Sequence, residues 1–451
     1  MDVARIEPPP LPPDVHAVLA RLAPHGRAWL VGGTVRDLLL GMPPRDFDVA
    51  TDLPPSVVQQ IVPYADARAA AFGVVAVAGE QVPVTVTTLR READYQDGRH
   101  PRTIAFTTSV PEDALRRDFT VNALYLDVGS STVLDPTGGL RDLQARVLRT
   151  VGVPAVRFDE DALRLLRAVR FAARCGLTVE PATSAALLAA APGLRRLSAE
   201  RVLDELTAAF TGPGRGRALR LSVDLGLAAI VLPEVAAMDA VTQPPEYHPE
   251  GCVLTHTALV LDHVPADDPV LAWSAVLHDI GKPPTWRQAE DRIRFDGHDT
   301  LSARMADAVL RRLHASNDLR ERVIEVCREH IRFASLPQMR PRRREAWLRT
   351  PLFPTHLAFH RADCLGSHGK LDVYEQARTW LAELPPLPPP LVTGADVLAL
   401  GVPPGPAVGE LLRAVHDAAA EAPTPMARPD ALLLLRDLVD RWRQGGVLPA
   451  R

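Results

Sequence analysis

Lysine is almost missing from this chain: of its 51 basic residues only Lys282 and Lys370 are lysines, and the rest are arginines. That bias fits a GC-rich genome, so abundant arginine by itself says little about partners. Cysteine is scarce as well. Cys175, Cys252, Cys327 and Cys364 lie far apart with no CxxC pair, which leaves no disulfide or thiolate zinc framework. No apolar run reaches the length that spans a bilayer, and the opening MDVARIEPPPLPP has no apolar leader core. A net charge of −4 excludes a uniformly basic nucleic-acid binder. These absences predict a soluble, reducing, cytoplasmic protein with no membrane partner.

What is present is length, proline and a local excess of arginine. A chain of 451 residues predicts roughly two to four domains. Between Arg141 and Arg220 fourteen arginines stand against eight acids, a stripe that suits either a polyanion or a solvated helical surface. Residues 1–150 read as mixed α/β. Strand candidates are AWLVGG (28–33), VVAVAG (74–79), VPVTVTTL (82–89) and VNALYLDV (121–128). Beyond about residue 155 the periodicity turns helical: 161–177, 199–210 and 218–231, with a break near PGRGR (213–217). The histidines concentrate between His248 and about Ser367. PPLPPP (385–390) reads as a stiff linker before a small helical tail. The expected domains are 1–150, 151–245, 246–384 and 391–451.

In VGGTVRDLLLGMPPRDFDVATD (31–52), Asp46 and Asp48 bracket Phe47. On a strand both carboxylates face one way and the phenylalanine faces the other. Two like charges side by side need a cation, and Mg²⁺ prefers such oxygens. Upstream, Gly32 and Gly33 permit close backbone approach, and Thr34 is placed to cap a short helix whose free N–H groups face an anion. The segment suits a nucleoside triphosphate with Mg²⁺; an Asx-rich turn between helix and strand is the alternative.

GGTVRDLLLG…RDFDVAT resembles the signature of the nucleotidyltransferase superfamily that includes DNA polymerase beta. More narrowly it resembles the class II CCA-adding enzymes and bacterial poly(A) polymerases. LRRDFTVNALYLD (115–127), LDPTGGLRDLQARVLRTVG (134–152), EDALRLLRAVRF (160–171) and LSAERVLDELTAAF (197–210) resemble that family's next four motifs, in order. The resemblance implies an α+β protein: a polymerase-beta-like head with a small mixed sheet, then an all-α neck, a further helical domain and a tail. It implies that Asp46 and Asp48 hold Mg²⁺ and that Gly32, Gly33 and Arg36 belong to the nucleotide site. Arg117, Asp118 and Asn122 fall where the family contacts the incoming ribose.

The EDxxR pattern Glu160–Arg164 places Asp161 and Arg164 three apart, so a helix would set them on one face. The resemblance implies that this pair reads the base edges of CTP and ATP. Arg167, Arg170 and Arg174 extend the same helix and are expected near phosphates of nucleotide or RNA. The implied partners are the tRNA 3′ end, CTP and ATP. One departure stands out. The family has a third carboxylate in the strand leading to T-T-x-R, and here that position is Thr85; Glu80, Glu92 or Asp118 is expected to compensate, or metal handling differs. The charged segment 90–100 resembles the family's flexible loop.

LTHTALVLDHV (254–264), AVLHDIGKP (275–283) and the later histidines resemble the HD phosphohydrolase superfamily. The implied ligands are His256, His278, Asp279 and Asp363, with His298 and His330 completing a second position. Imidazole and carboxylate together suit Mn, Co, Ni or Fe. Lys282 is expected to help bind phosphate, and EYHPEG, with His248 and Glu250, resembles the entry to this domain. The implied activity is template-independent CCA addition, joined to phosphoester hydrolysis. Rivals are A addition, poly(A) synthesis, a hydrolase whose degenerate head only binds RNA, and a tRNA chaperone without turnover.

Overall fold

A computed structural model describes the chain except residues 1, 7–9, 45, 64, 67, 96–100, 245–247, 291, 387–389, 423–425 and 445–451. Two compact units emerge, Met1–Leu381 and Ala382–Arg451. The first opens with strands β1 (Asp2–Arg5), β2 (Ala28–Val31), β3 (Phe47–Thr51), β4 (Ala65–Asp66), β5 (Val74–Val77) and β6 (Val84–Thr88). A hairpin follows, β7 (Arg90–Tyr95) and β8 (Pro101–Phe106), then β9 (Tyr125–Asp127) and β10 (Thr132–Asp135).

Eight of these strands make one mixed sheet in the order β1-β10-β9-β2-β3-β6-β5-β4, while β7 and β8 pair separately. Among the described residues of this sheet, β3 and β6 are the one parallel pair, with Asp48 opposite Thr85. The alternation in β6 explains its place near the centre. Val84, Val86 and Thr88 are buried, and Thr85 and Thr87 face the half-open side.

The strand expected over 121–128 is shorter than its pattern suggests. Thr120–Asn122 is a 3₁₀ turn and only Tyr125–Asp127 pairs. The side chain of Asn122 is drawn into polar bonds with Asp118 and Arg36, which competes with a ladder. Likewise 218–231 is not one helix. Arg215–Asp224 ends before Gly226, whose φ of +73° an L-residue adopts with strain, and Ala228–Val231 starts afresh.

The Leu163–Arg174 helix buries Leu165, Leu166, Val169 and Ala172 on one side. Its other side carries Arg167, Arg170 and Arg174, which reach Asp118, Glu205 and Asp37. Farther on, helices Val253–His263, Pro269–Leu277, His298–Arg312, Asn317–Glu329 and Phe353–Leu365 gather the histidines. Trp273 ties this region to the preceding helices: its indole N–H donates to Thr207 at 2.9 Å and its ring meets Phe210 edge-on at 5.5 Å.

The second unit has its own core. Helices Gly394–Ala399, Pro406–Glu421 and Arg428–Arg443 close around Leu411, Val415 and Leu435. Thr393 and Asp396 form a reciprocal capping box at its first helix. Among the described residues no helix is long and apolar enough to cross a membrane.

Candidate active and metal sites

Two clefts in the first unit concentrate the chemistry, and the first lies where β2 hands over to the Gly33–Leu39 helix. Gly32 takes φ +68° and ψ −132°, a conformation reserved for glycine. A Cβ built there would lie 3.4 Å from the Arg117 guanidinium and 3.8 Å from the Asp48 carboxylate, so the glycine keeps the floor of the cleft clear.

Thr34 does not cap this helix as its sequence position suggested, because the cap is Gly32 and Thr34 already lies in the first turn. Its buried hydroxyl instead donates to the Asp46 carbonyl and accepts from the Asp48 N–H, each at 3.0 Å. It thereby fixes the two backbone groups that flank Phe47. Phe47 points into the core, and Asp46 and Asp48 both line the cleft.

The cleft encloses about 230 Å³. Burial raises the Asp48 carboxyl above its ordinary range; Arg117 opposes that, Asp46 adds to it, and Arg167 opposes it. A divalent cation would relieve both burial and repulsion, so the pair fits Mg²⁺. Thr85 sits across from Asp48 on the neighbouring strand and supplies no charge. Asp118, one of the three acids considered as substitutes, lines the cleft; the Glu92 side chain lies outside the described residues.

Every other carboxylate of this cleft has an arginine clasping it. Arg167 pairs with Asp118 at 2.8 Å and Arg174 with Asp37 at 2.7 Å. Arg36 pairs with Asp37 at 2.6 Å and donates to Asn122, also at 2.6 Å. Burial alone would lift Asp118, but Arg167, the Asn122 amide and Arg164 hold it down at about 2. Arg170 reaches Glu205 at 2.5 Å. Arg36, Arg167 and Arg170 all lean on the Phe171 ring, with guanidinium carbons 4.3–4.9 Å from its centre. Arg117 is anchored from behind by Asp113 at 2.9 Å and by the Tyr125 hydroxyl at 2.9 Å.

Sequence reading missed Asp37, Phe171, Asp113 and Tyr125. The first lay in plain view in VRD, and the i,i+4 spacing of Asp113 and Arg117 was a usable signal.

Asp161 and Arg164 do not share a helical face. Asp161 is extended (φ −149°, ψ 107°) between two helices, and its carboxylate accepts from the Leu163 N–H and pairs with Arg201. Arg164 is buried against Glu160 at 2.6 Å and the Arg116 carbonyl at 3.0 Å. Neither lines the cleft, whereas Arg167, Arg170 and Arg174 do.

The second cleft is the histidine cluster, about 360 Å³ in volume. Four imidazoles converge through Nε2. His256 and His278 stand 3.2 Å apart, and so at 3.3 Å do His298 and His330. Asp363 lies 3.1 Å from His256. Asp279 sits between the two pairs: Oδ2 is 3.2 Å from His278, and Oδ1 is 3.5 Å from His298 and 3.8 Å from His330.

The opposite ring nitrogens are held from behind. Nδ1 of His278, His298 and His330 faces the carbonyl three residues earlier, at 2.9, 2.8 and 2.6 Å. As N–H donors there, these rings present bare Nε2 lone pairs inward, the arrangement of metal-ligating histidine. His256 is the exception, with Nδ1 2.9 Å from Glu250. Asp279 Oδ1 is buried and accepts no hydrogen bond, an orphan that a metal would satisfy. The donor set therefore fits a transition metal. Burial pushes His330 down to about 3, with His278 adding to the effect and Asp279 opposing it. Lys282 pairs with Asp279 and donates to Gln243, both at 2.7 Å.

Family comparisons divide the chain in the same order. Residues 28–149 match the poly A polymerase head domain, 176–239 the probable RNA and SrmB-binding site of polymerase A, and 247–363 the HD domain. An A-adding tRNA nucleotidyltransferase of Deinococcus radiodurans is 34% identical across 97% of this chain and 98% of its own. A CCA-adding enzyme of Geobacillus thermodenitrificans is 42% identical over 47% of this chain; that match spans about half, 52%, of the relative's length. The crystal structure of the Bacillus stearothermophilus CCA-adding enzyme in complex with CTP aligns over 96% of this chain and all of that one, with a TM-score of 0.67 and 27% identity.

Proposed function

The chain belongs to the class II tRNA nucleotidyltransferase and poly(A) polymerase family, and from that premise we propose that it adds CCA to tRNA 3′ ends from CTP and ATP. The observation that carries this reading is the shared cleft of Asp46 and Asp48, floored by Gly32 and walled by arginines. The proposed division is a head over 1–150, a base-selecting neck over 151–245, an HD domain over 246–384 and a tail from 391. The cytoplasm is the compartment this activity implies.

Gly32 and Gly33 let the triphosphate approach the backbone. Arg117, Arg167 and Arg170 offer fixed donors where negative charge develops. Asp46 and Asp48 would hold magnesium, which would supply positive charge to the triphosphate and the departing pyrophosphate. The tRNA 3′ hydroxyl attacks the α-phosphate in line, so the protein's contribution is chiefly position and charge. For Asp161 and Arg164 to read a base, both must exchange their present partners, Arg201 and Glu160, for the nucleotide; such a rearrangement accompanies binding in this reading.

In the HD cleft, His256, His278, Asp279 and Asp363 would hold a metal, and His298 and His330 would complete a second position. A metal there supplies Lewis acidity and acidifies water for phosphoester attack. Lys282 stands beside Asp279, ready to meet the phosphate. The proposed substrates are 2′,3′-cyclic phosphates, 2′-nucleotides or damaged RNA ends.

A second reading, A addition alone, is favoured by the Deinococcus relative's match along nearly its whole length. Incubating tRNA that lacks its three terminal nucleotides with CTP, ATP and both separates the two. Two cytidines followed by one adenosine supports CCA addition. Extension confined to ATP on a tRNA already ending in CC overturns it.

A further inference from the structure

We propose that Phe295 and Ile331 form an apolar clamp for the base of a terminal nucleotide, making the histidine cleft selective for nucleosidic phosphoesters over bare sugar phosphates. The proposal rests on the phosphohydrolase reading above and names which part of the substrate that site recognises.

The cleft has two chemistries. Its floor is imidazole, carboxylate and the Lys282 ammonium, which is all that a phosphoester needs. Its lining also carries the apolar Pro244, Ile293, Phe295 and Ile331, with Arg292, Arg294 and Asp296 interleaved among them. Ile331 is 47% exposed, and Phe295 is only half-buried. An exposed isoleucine and a half-buried aromatic ring beside a polar metal site serve no step of phosphoester cleavage, but they match the flat apolar surface of a base.

Their position gives the cleft a direction. Ile331 directly follows His330, and the Phe295 carbonyl faces His298 Nδ1 at 2.8 Å. The Phe295 ring also meets His298 edge-on at 6.4 Å, which sets it on the His298 side of the cleft. The Lys282 ammonium lies 5.5 Å from the centre of the Phe295 ring and 2.7 Å from Asp279. A base laid on Phe295 therefore sends its sugar phosphate over Lys282 and Asp279. Stacking accepts any base, because every base has a π-face. The clamp demands a base without choosing which.

The test uses the full chain loaded with manganese or nickel. Adenosine 2′,3′-cyclic phosphate is compared with 1-O-methylribose 2,3-cyclic phosphate, which offers the same reacting group and no base. The expected result is a preference in kcat/KM of roughly 10-fold or more for the nucleotide, carried by KM, and about equal rates among the four cyclic nucleotides. Phe295→Ala and Ile331→Ala each remove most of that preference and leave the base-free probe within about 2-fold; Phe295→Trp restores it. Calorimetry with adenosine 2′-monophosphate against ribose 2-phosphate reads the clamp without turnover. Base-dependent binding with no hydrolysis of either probe sustains the clamp and removes the hydrolase reading. Equal handling of both probes by the parent chain, or an equal loss on both in Phe295→Ala, overturns the clamp.

Discussion

The two clefts solve the problem of buried negative charge in opposite ways. Around the head cleft, Asp37, Asp118 and Glu205 each have a guanidinium within 2.5–2.8 Å. Among the described residues lining that cleft, Asp46 and Asp48 are the carboxylates left to an incoming cation. In the histidine cleft Asp279 is enclosed by imidazoles and one ammonium, and neither of its buried oxygens accepts a hydrogen bond. On the proposed reading, the first takes its metal together with the nucleotide and the second holds a resident ion.

That contrast is open to experiment, beginning with the largest effect. Asp48→Ala should lower nucleotide incorporation by roughly 10³-fold while leaving phosphoesterase turnover within about 2-fold, and Asp279→Ala should do the reverse. Steady-state rates on both activities in both variants decide it; parallel losses would mean the clefts are not independent.

Stripping metal sharpens the comparison next. A resident ion present at 100 times its dissociation constant stabilises by about 2.7 kcal/mol. Chelation should therefore loosen amide-exchange protection in the Val253–His263 helix and leave β3 unchanged. Equal loosening of both would contradict a head completed by arginine.

Acid should act on the head through Asp118. Its folded value of about 2 lies below the ordinary aspartate value of 3.8, so the stabilisation is fully present above pH 3.8. It is lost as pH falls through about 2. The difference corresponds to about 2 kcal/mol. Asp118→Asn should flatten the stability profile between those limits, seen by denaturant titration at each pH.

The smallest effect concerns Thr85. A carboxylate there would face Asp48 across the parallel strands. Thr85→Glu should cost roughly 0.5–1 kcal/mol without metal and lower the magnesium concentration needed for half-maximal incorporation. An unchanged magnesium titration would show that Thr85 does not mark the vacant third position.

Much of this was legible in the chain. Alternation in 46–48 and in 82–88 placed both aspartates and Thr85, because strand geometry is local. The histidine ligands were legible as types, and the structure brings Asp363, the residue farthest along the chain, to 3.1 Å from His256. What stayed hidden was set by tertiary packing. The break at Asp161 comes from its carboxylate capping the next helix, which overrides a helical period. Thr34 looked like a cap until the neighbouring strand supplied it with better partners. The Phe295 rim could not be read at all, since nothing in RFDGH separates a core phenylalanine from an exposed one.

The Leu163–Arg174 helix has a practical consequence. Its arginines at 167, 170 and 174 fasten acids from three different segments. A fragment ending at residue 150 would strip Asp118 of Arg167 and leave Asp37 with Arg36 alone. The catalytic lobe is therefore not a severable cassette, and chimaeras between relatives have to be spliced downstream of Glu205.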